Sequence, residues 1–311
     1  MSLFSILAGF LLLVIGGEFI VRSSIAVSLK FKISKFVIGM TIVAFATSVP
    51  ELIVSLIAVL DGNSELAMNN AVGSNIANIG LVLALISILS PIFISNSFYK
   101  KNWPIMFIFS IALYLFATND NTVSQLEGFT LLLYLSIFII YFLNKSGEQQ
   151  INNEIDEKFS LVSNIKIFIW LIISSFSLYF GAEFLVYGAK NFAQQLDVSD
   201  AVISVTLVAI GTSIPELATS LVAILKKEKG ISVGNLIGSN IFNIGMVLGI
   251  TSIIKPIKVT TEIIDRDLIW MLIFALIILV LAIFPKMNQI SKFKGFLMLC
   301  LYIYFLFLAW F

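Results

Sequence analysis

Two carboxylates stand inside long apolar stretches, each within nearly the same phrase: Thr47-Ser48-Val49-Pro50-Glu51 and Thr212-Ser213-Ile214-Pro215-Glu216. An ionisable group in hydrocarbon costs about 2.5 kcal/mol or more and by default marks an ion or substrate path. Thr47 and Glu51 stand at i and i+4, on one helical face. Pro50 has no N–H to offer the carbonyl of Ala46, and Pro215 withholds one from Gly211. Each phrase therefore offers hydroxyl, carboxylate and freed carbonyl oxygens within about one helical turn. Such hard donors suit Na⁺ or Ca²⁺ and do not suit zinc or copper.

A second phrase is also doubled, Gly73-Ser74-Asn75-Ile76-Ala77-Asn78-Ile79-Gly80 and Gly238-Ser239-Asn240-Ile241-Phe242-Asn243-Ile244-Gly245. Both phrases recur at one offset of 165 residues (51 to 216, and 73 to 238), so the two halves align without a gap. Ser74 and Asn78, like Ser239 and Asn243, are spaced i and i+4 and can face one pocket. Gly73 and Gly238 are expected to let neighbouring helices approach closely. Alone, Gly-Ser-Asn reads equally well as polar packing; beside a buried carboxylate in each half, it reads as part of an ion site. The same offset relates Glu18-Phe19 to Glu183-Phe184 and Ser55-Leu56 to Ser220-Leu221. Glu18 has Arg22 one turn away and Glu183 has Tyr187, and a structural role is expected for both glutamates.

The elements that must position these groups are membrane helices. Hydrophobic residues make up 59% of the 311 and charged residues 12%, a composition that excludes a soluble domain. Apolar runs of spanning length fall near residues 3–28, 36–60, 68–91, 103–117 and 126–143, then near 161–191, 200–225, 232–254, 268–285 and 293–311. The first has no basic flank or cleavage pattern and reads as a retained span. The expected fold is an all-α membrane protein of ten transmembrane helices. An N-terminal five-helix repeat (1–143) and a C-terminal one (161–311) flank a cytoplasmic linker (144–160). Glu154, Asp156 and Glu157 in that linker read as solvated charge. Fifteen of the 19 Lys and Arg residues fall on one side of the spans so drawn; Lys190, Lys255, Lys258 and Arg266 fall on the other. By the positive-inside rule both termini face outward. An odd number of spans per repeat makes the repeats inverted, and one site is expected to form from both. Trp103, Trp270 and Trp310 are expected to act as interfacial anchors. The absence of His removes the usual proton shuttle, and the single Cys300 excludes an intrachain disulfide.

Two ionised glutamates would neutralise one Ca²⁺, while several Na⁺ ions could occupy the same oxygens. An empty site would leave two carboxylates in low dielectric, which favours obligatory exchange over uniport. The doubled motifs resemble the alpha repeats of the calcium/cation antiporter superfamily, specifically the Na⁺/Ca²⁺ exchanger family, over residues 39–83 and 204–248. The resemblance implies that Glu51 and Glu216 are the central Ca²⁺ carboxylates. It implies that Thr47 and Thr212, with the carbonyls of Ala44 and Ala209, serve Ca²⁺ and Na⁺. Ser48, Ser74, Ser213 and Ser239 would supply Na⁺ oxygens, and Asn78 and Asn243 would complete the centre. It further implies that the second, third, seventh and eighth helices form the core, past which the first and sixth slide. Some relatives, the K⁺-dependent exchangers among them, carry Asp at the position of Asn243, so a K⁺-independent mode is expected. Ala46 replaces the usual glycine of the first motif, which stiffens the expected helix break there.

The expected activity is Na⁺/Ca²⁺ antiport by alternating access, with Ca²⁺/H⁺ or K⁺-dependent antiport as the alternative. The chain is not expected to be an enzyme. An intramembrane protease would want aspartates, and all seven lie in expected loops; a channel fits inverted halves less well. No cofactor, nucleic acid or protein partner is expected beyond the transported ions and the lipid bilayer. The expected location is the cell (inner) membrane.

Overall fold

In hydrocarbon every backbone N–H and C=O must be satisfied within its own segment, so apolar runs of spanning length dictate long helices. A computed structural model describes residues 2–145, 158–195, 211–284 and 288–310. Ala209, the middle of the expected linker and the start of the expected seventh span lie outside them. Among the described residues, nine helices are long and apolar enough to cross a membrane. They are α1 (Ser2–Phe31), α2 (Lys35–Leu60), α3 (Ser64–Leu89), α4 (Phe98–Asp120), α5 (Gln125–Asn144), α6 (Asn164–Gln195), α8 (Lys229–Ile254), α9 (Ile263–Ile283) and α10 (Lys292–Ala309). The shorter apolar α7 (Ile214–Leu225) stands in the seventh place.

The fourth helix is longer than the apolar run 103–117, because the π-helical segment Phe98–Asn102 opens it with two lysines. The ninth opens likewise, through Ile263–Leu268, which holds Asp265 and Asp267. This overturns the expectation that every aspartate lies in a loop: Asp267 is buried and paired with Arg266 at 2.7 Å. The same extensions carry two tryptophans away from the helix ends. Trp103 donates its indole N–H to the carbonyl of Ala275 at 2.6 Å, and Trp270 packs against Phe274, Tyr304 and Phe305. Both pack between helices and remain part-exposed.

The repeat extends to element boundaries. Within α3 the segments Ser64–Ala77, π-helical Asn78–Leu83 and Ala84–Leu89 recur within α8 as Lys229–Phe242, Asn243–Leu248 and Gly249–Ile254. The turns that precede them match too. Gly62 has φ 87° before α3, and Lys227 has φ 63° at the equivalent place before α8. The left-handed conformation costs a non-glycine residue about 1–2 kcal/mol; the lysine nonetheless adds charge to the lysine-rich side.

Two compact units cut across the repeats. One contains Met1–Thr47 and Ile140–Asn235, the other Ser48–Ile139 and Leu236–Phe311. In the first unit α1 lies along α6 and α7. A Cβ on Gly9 would come within 2.6 Å of the Leu185 backbone nitrogen, so only glycine permits that approach. Ile20, Val21, Ala26 and Leu178 fill the core. Glu18 pairs with Arg22 at 2.5 Å, as expected, and also with Lys226 at 2.8 Å, tying α1 to the end of α7. Lys35 and Glu228, 2.8 Å apart, join the starts of α2 and α8.

In the second unit short strands clasp the loops. β1 (Ile92–Phe93) pairs antiparallel with β4 (Gln289–Ile290), and β2 (Thr122–Val123) with β3 (Ile257–Lys258). The α3–α4 loop thus shares a face with the α9–α10 loop, and the α4–α5 loop with the α8–α9 loop. These pairings fit an all-α membrane fold of two inverted five-helix repeats. α5 begins with a capping box, Ser124 N–H donating to Glu127 Oε2 at 2.8 Å and Glu127 N–H to Ser124 Oγ at 3.3 Å. At the start of α10, Ser291 caps Lys294 N–H, and Lys294 Nζ donates to the carbonyl of Gln289 at 2.6 Å. The two caps thus carry opposite charges, Glu127 at the start of α5 and Lys294 at the start of α10.

Candidate cation site

The two proline motifs fold differently. In the first, a π-helical segment (Gly39–Val43) leads into an α-helix, Ala44–Leu60, that runs through Pro50. The break expected near Pro50 does not form. In the second, Thr212 and Ser213 form a turn and α7 starts at Ile214, with Pro215 in its first turn. The turn follows Gly211, whereas the matching residues of the first motif, Ala46, Thr47 and Ser48, are all helical.

The first unit holds Ala44, Thr47, Thr212, Ser213 and Glu216. Thr47, Ser213 and Glu216 are buried, and Thr212 is half-buried. Thr47 Oγ1 lies 3.4 Å from the carbonyl of Ala44 and 3.2 Å from Asn235 Oδ1, two acceptors for one hydroxyl hydrogen. Ser213 Oγ makes no hydrogen bond to protein.

The second unit holds Ser48, Glu51, Ser74, Asn78, Ser239 and Asn243, each at most 1% exposed. Asn70 Nδ2 donates to the backbone carbonyl of Glu51 at 3.0 Å and to Ser55 Oγ at 2.9 Å, bracing the helix turn that carries the carboxylate. Asn78 and Asn243 each begin a π-helical segment, a widening frequent at functional sites. Ser48 Oγ, both polar atoms of the Asn78 amide and Asn243 Oδ1 are buried without a hydrogen bond to protein. Buried oxygens that bond no protein group are costly for the fold and suit cation ligation. Among the described residues no group of three or more His, Cys, Asp or Glu comes together. The negative charge of this candidate set is confined to the two glutamates.

Gly73 departs from expectation: a Cβ there would meet nothing within 4 Å, so close helix approach is not its reason. The sequence reading also left Asn70 and Asn235 unremarked and gave Asn75 and Asn240 no role, although both pairs recur at the repeat offset. That recurrence was the available signal. Nothing in the residue types announces the π-helical segments.

Inverted repeats of membrane helices, each with a fully buried glutamate, place the protein among secondary transporters. The chain belongs to the sodium/calcium exchanger protein family, whose sequence pattern matches residues 1–144 and 166–311. It is 31% identical over 341 residues to the sodium/calcium exchanger MaX1 of Methanosarcina acetivorans, covering 97% of this chain and 96% of that protein. It is 33% identical over 304 residues to the putative antiporter CaxA of Alkalimonas amylolytica, covering 96% and 95%. The structure of the sodium-calcium exchanger NCX_Mj soaked with 2.5 mM Na⁺ and 0.1 mM Ca²⁺ matches with a TM-score of 0.82 at 33% identity, covering 97% of this chain and 96% of that one.

Proposed function

We propose that the protein exchanges Na⁺ for Ca²⁺ across the membrane by alternating access. The observation that carries this reading is the pair Glu51 and Glu216, both 0% exposed and both in doubled, oxygen-rich motifs of membrane helices. Together the two carboxylates balance one Ca²⁺. Thr47, Thr212, Ser48, Ser213, Ser74, Ser239, Asn78 and Asn243, with the carbonyls of Ala44 and Ala209, supply neutral oxygens that Na⁺ can share. Two charges that must be compensated before the site crosses low dielectric favour exchange over uniport. Amide Asn243, in place of a carboxylate, favours a K⁺-independent mode. Lysine-rich loops favour a cytoplasmic 144–160 linker and outward termini, in the cell (inner) membrane.

The test is Ca²⁺ uptake into proteoliposomes under imposed gradients. Uptake is expected to follow an outward Na⁺ gradient and to ignore K⁺. Uptake driven by a pH gradient and indifferent to Na⁺ would instead establish Ca²⁺/H⁺ antiport, which a glutamate alone can support.

A further inference from the structure

Asn75 and Asn240 occupy the same place in the two repeats, yet their amides are used differently. Asn75 Nδ2 donates to the backbone carbonyl of Asn240 at 3.2 Å and lies 3.7 Å from Met271 Sδ. A carbonyl oxygen and a thioether sulfur only accept, so this end of the Asn75 amide is the NH₂ group. Its other end is then an acceptor, and Asn243 Nδ2 meets it at 3.2 Å. With its NH₂ committed, Asn243 is left with a buried Oδ1 that bonds no protein group. Asn240 instead donates to the carbonyl of Leu236 in its own helix at 3.1 Å. Its Oδ1 and both polar atoms of Asn78 make no hydrogen bond to protein, so the mirrored relay is absent.

We propose that Asn75 is a positioning residue that fixes the polarity of the Asn243 amide, so that oxygen and not NH₂ is presented to the transported cation. This rests on the reading of Asn243 as a cation ligand. The two ends of an amide are nearly equal in size, so shape does not select the one that faces a ligand. The backbone carbonyl of Asn240 makes the selection, and Asn75 transmits it before any cation arrives. Such preorganisation lowers the cost of binding. Asn75 therefore acts on cation affinity through Asn243 and on nothing else in the transport cycle.

The test is a double-mutant cycle in proteoliposomes on Asn75→Ala, Asn243→Ala and the double variant, reading half-saturation for Ca²⁺ and Na⁺ and the maximal rate. Asn75→Ala is expected to raise half-saturation for at least one cation by about three- to tenfold, as for one lost hydrogen bond. The maximal rate should hold, and no further shift should appear in the Asn243→Ala background. An equal shift in that background, or a loss confined to maximal rate, overturns the proposal and leaves Asn75 a packing residue. If Asn243→Ala alone leaves both half-saturation values unchanged, the ligand reading fails and the proposal with it. Should Asn75→Ala not elute as folded protein, Asn75→Ser, smaller but polar, goes through the same cycle.

Discussion

The two repeats match to the residue in the bounds of α3 and α8, yet their polar side chains are bonded differently. Asn70 braces Glu51 and Ser55, whereas Asn235, its counterpart, accepts from Thr47 and leaves its own Nδ2 unbonded, as is the hydroxyl of Ser220. The first proline motif is continuous helix and the second begins with a turn. Equal sequence therefore does not force equal bonding. The backbone repeats because apolar pattern and turn chemistry repeat. The hydrogen bonds differ because a buried amide bonds whichever of several close groups the local packing presents.

The sharpest test of this difference is at the carboxylates. Glu51→Gln and Glu216→Gln should each lower Ca²⁺ exchange in proteoliposomes on the order of 100-fold or more, since removing one partner of a buried charge pairing costs about 3–5 kcal/mol. Normal flux in either variant breaks the view that both repeats ligate the same load. Next in size, Asn70→Ala should cost about 2 kcal/mol and Asn235→Ala about 1 kcal/mol, following the number of hydrogen bonds each loses. Thermal unfolding of the purified variants in detergent gives the order, and a larger loss at Asn235 would reverse it. Glu18→Gln should cost no more than about 1 kcal/mol, as expected for a partly exposed ion pair. Glu183→Gln, at an exposed side chain, should leave the unfolding temperature unchanged. The smallest effect is expected at Gly73→Ala, with Ca²⁺ flux held within about twofold because the added methyl meets open space.

Much of the fold was legible before any coordinates. Charged and polar breaks between the apolar runs marked the helices. The longer α4 and the buried Asp267 were not, because hydropathy does not show that polar residues can begin a helix when a neighbouring side chain satisfies them. At the site, the doubled Thr-Ser-x-Pro-Glu and Gly-Ser-Asn phrases named oxygens that the structure buries. They did not show that Pro50 would lie within unbroken helix, since the same Thr-Ser-x-Pro-Glu pattern contains a turn in the second motif. Nor did they reveal which end of the Asn243 amide is committed, which depends on a backbone carbonyl of Asn240.

The paired strands have a practical consequence. β1 with β4 and β2 with β3 fasten loops from both repeats at the two faces of one unit, like clips on opposite rims. An epitope inserted into any of those four loops would have to unfasten a clip and shift the helix ends it holds. These loops are therefore the wrong places to attach a tag or reporter, however short and polar they look.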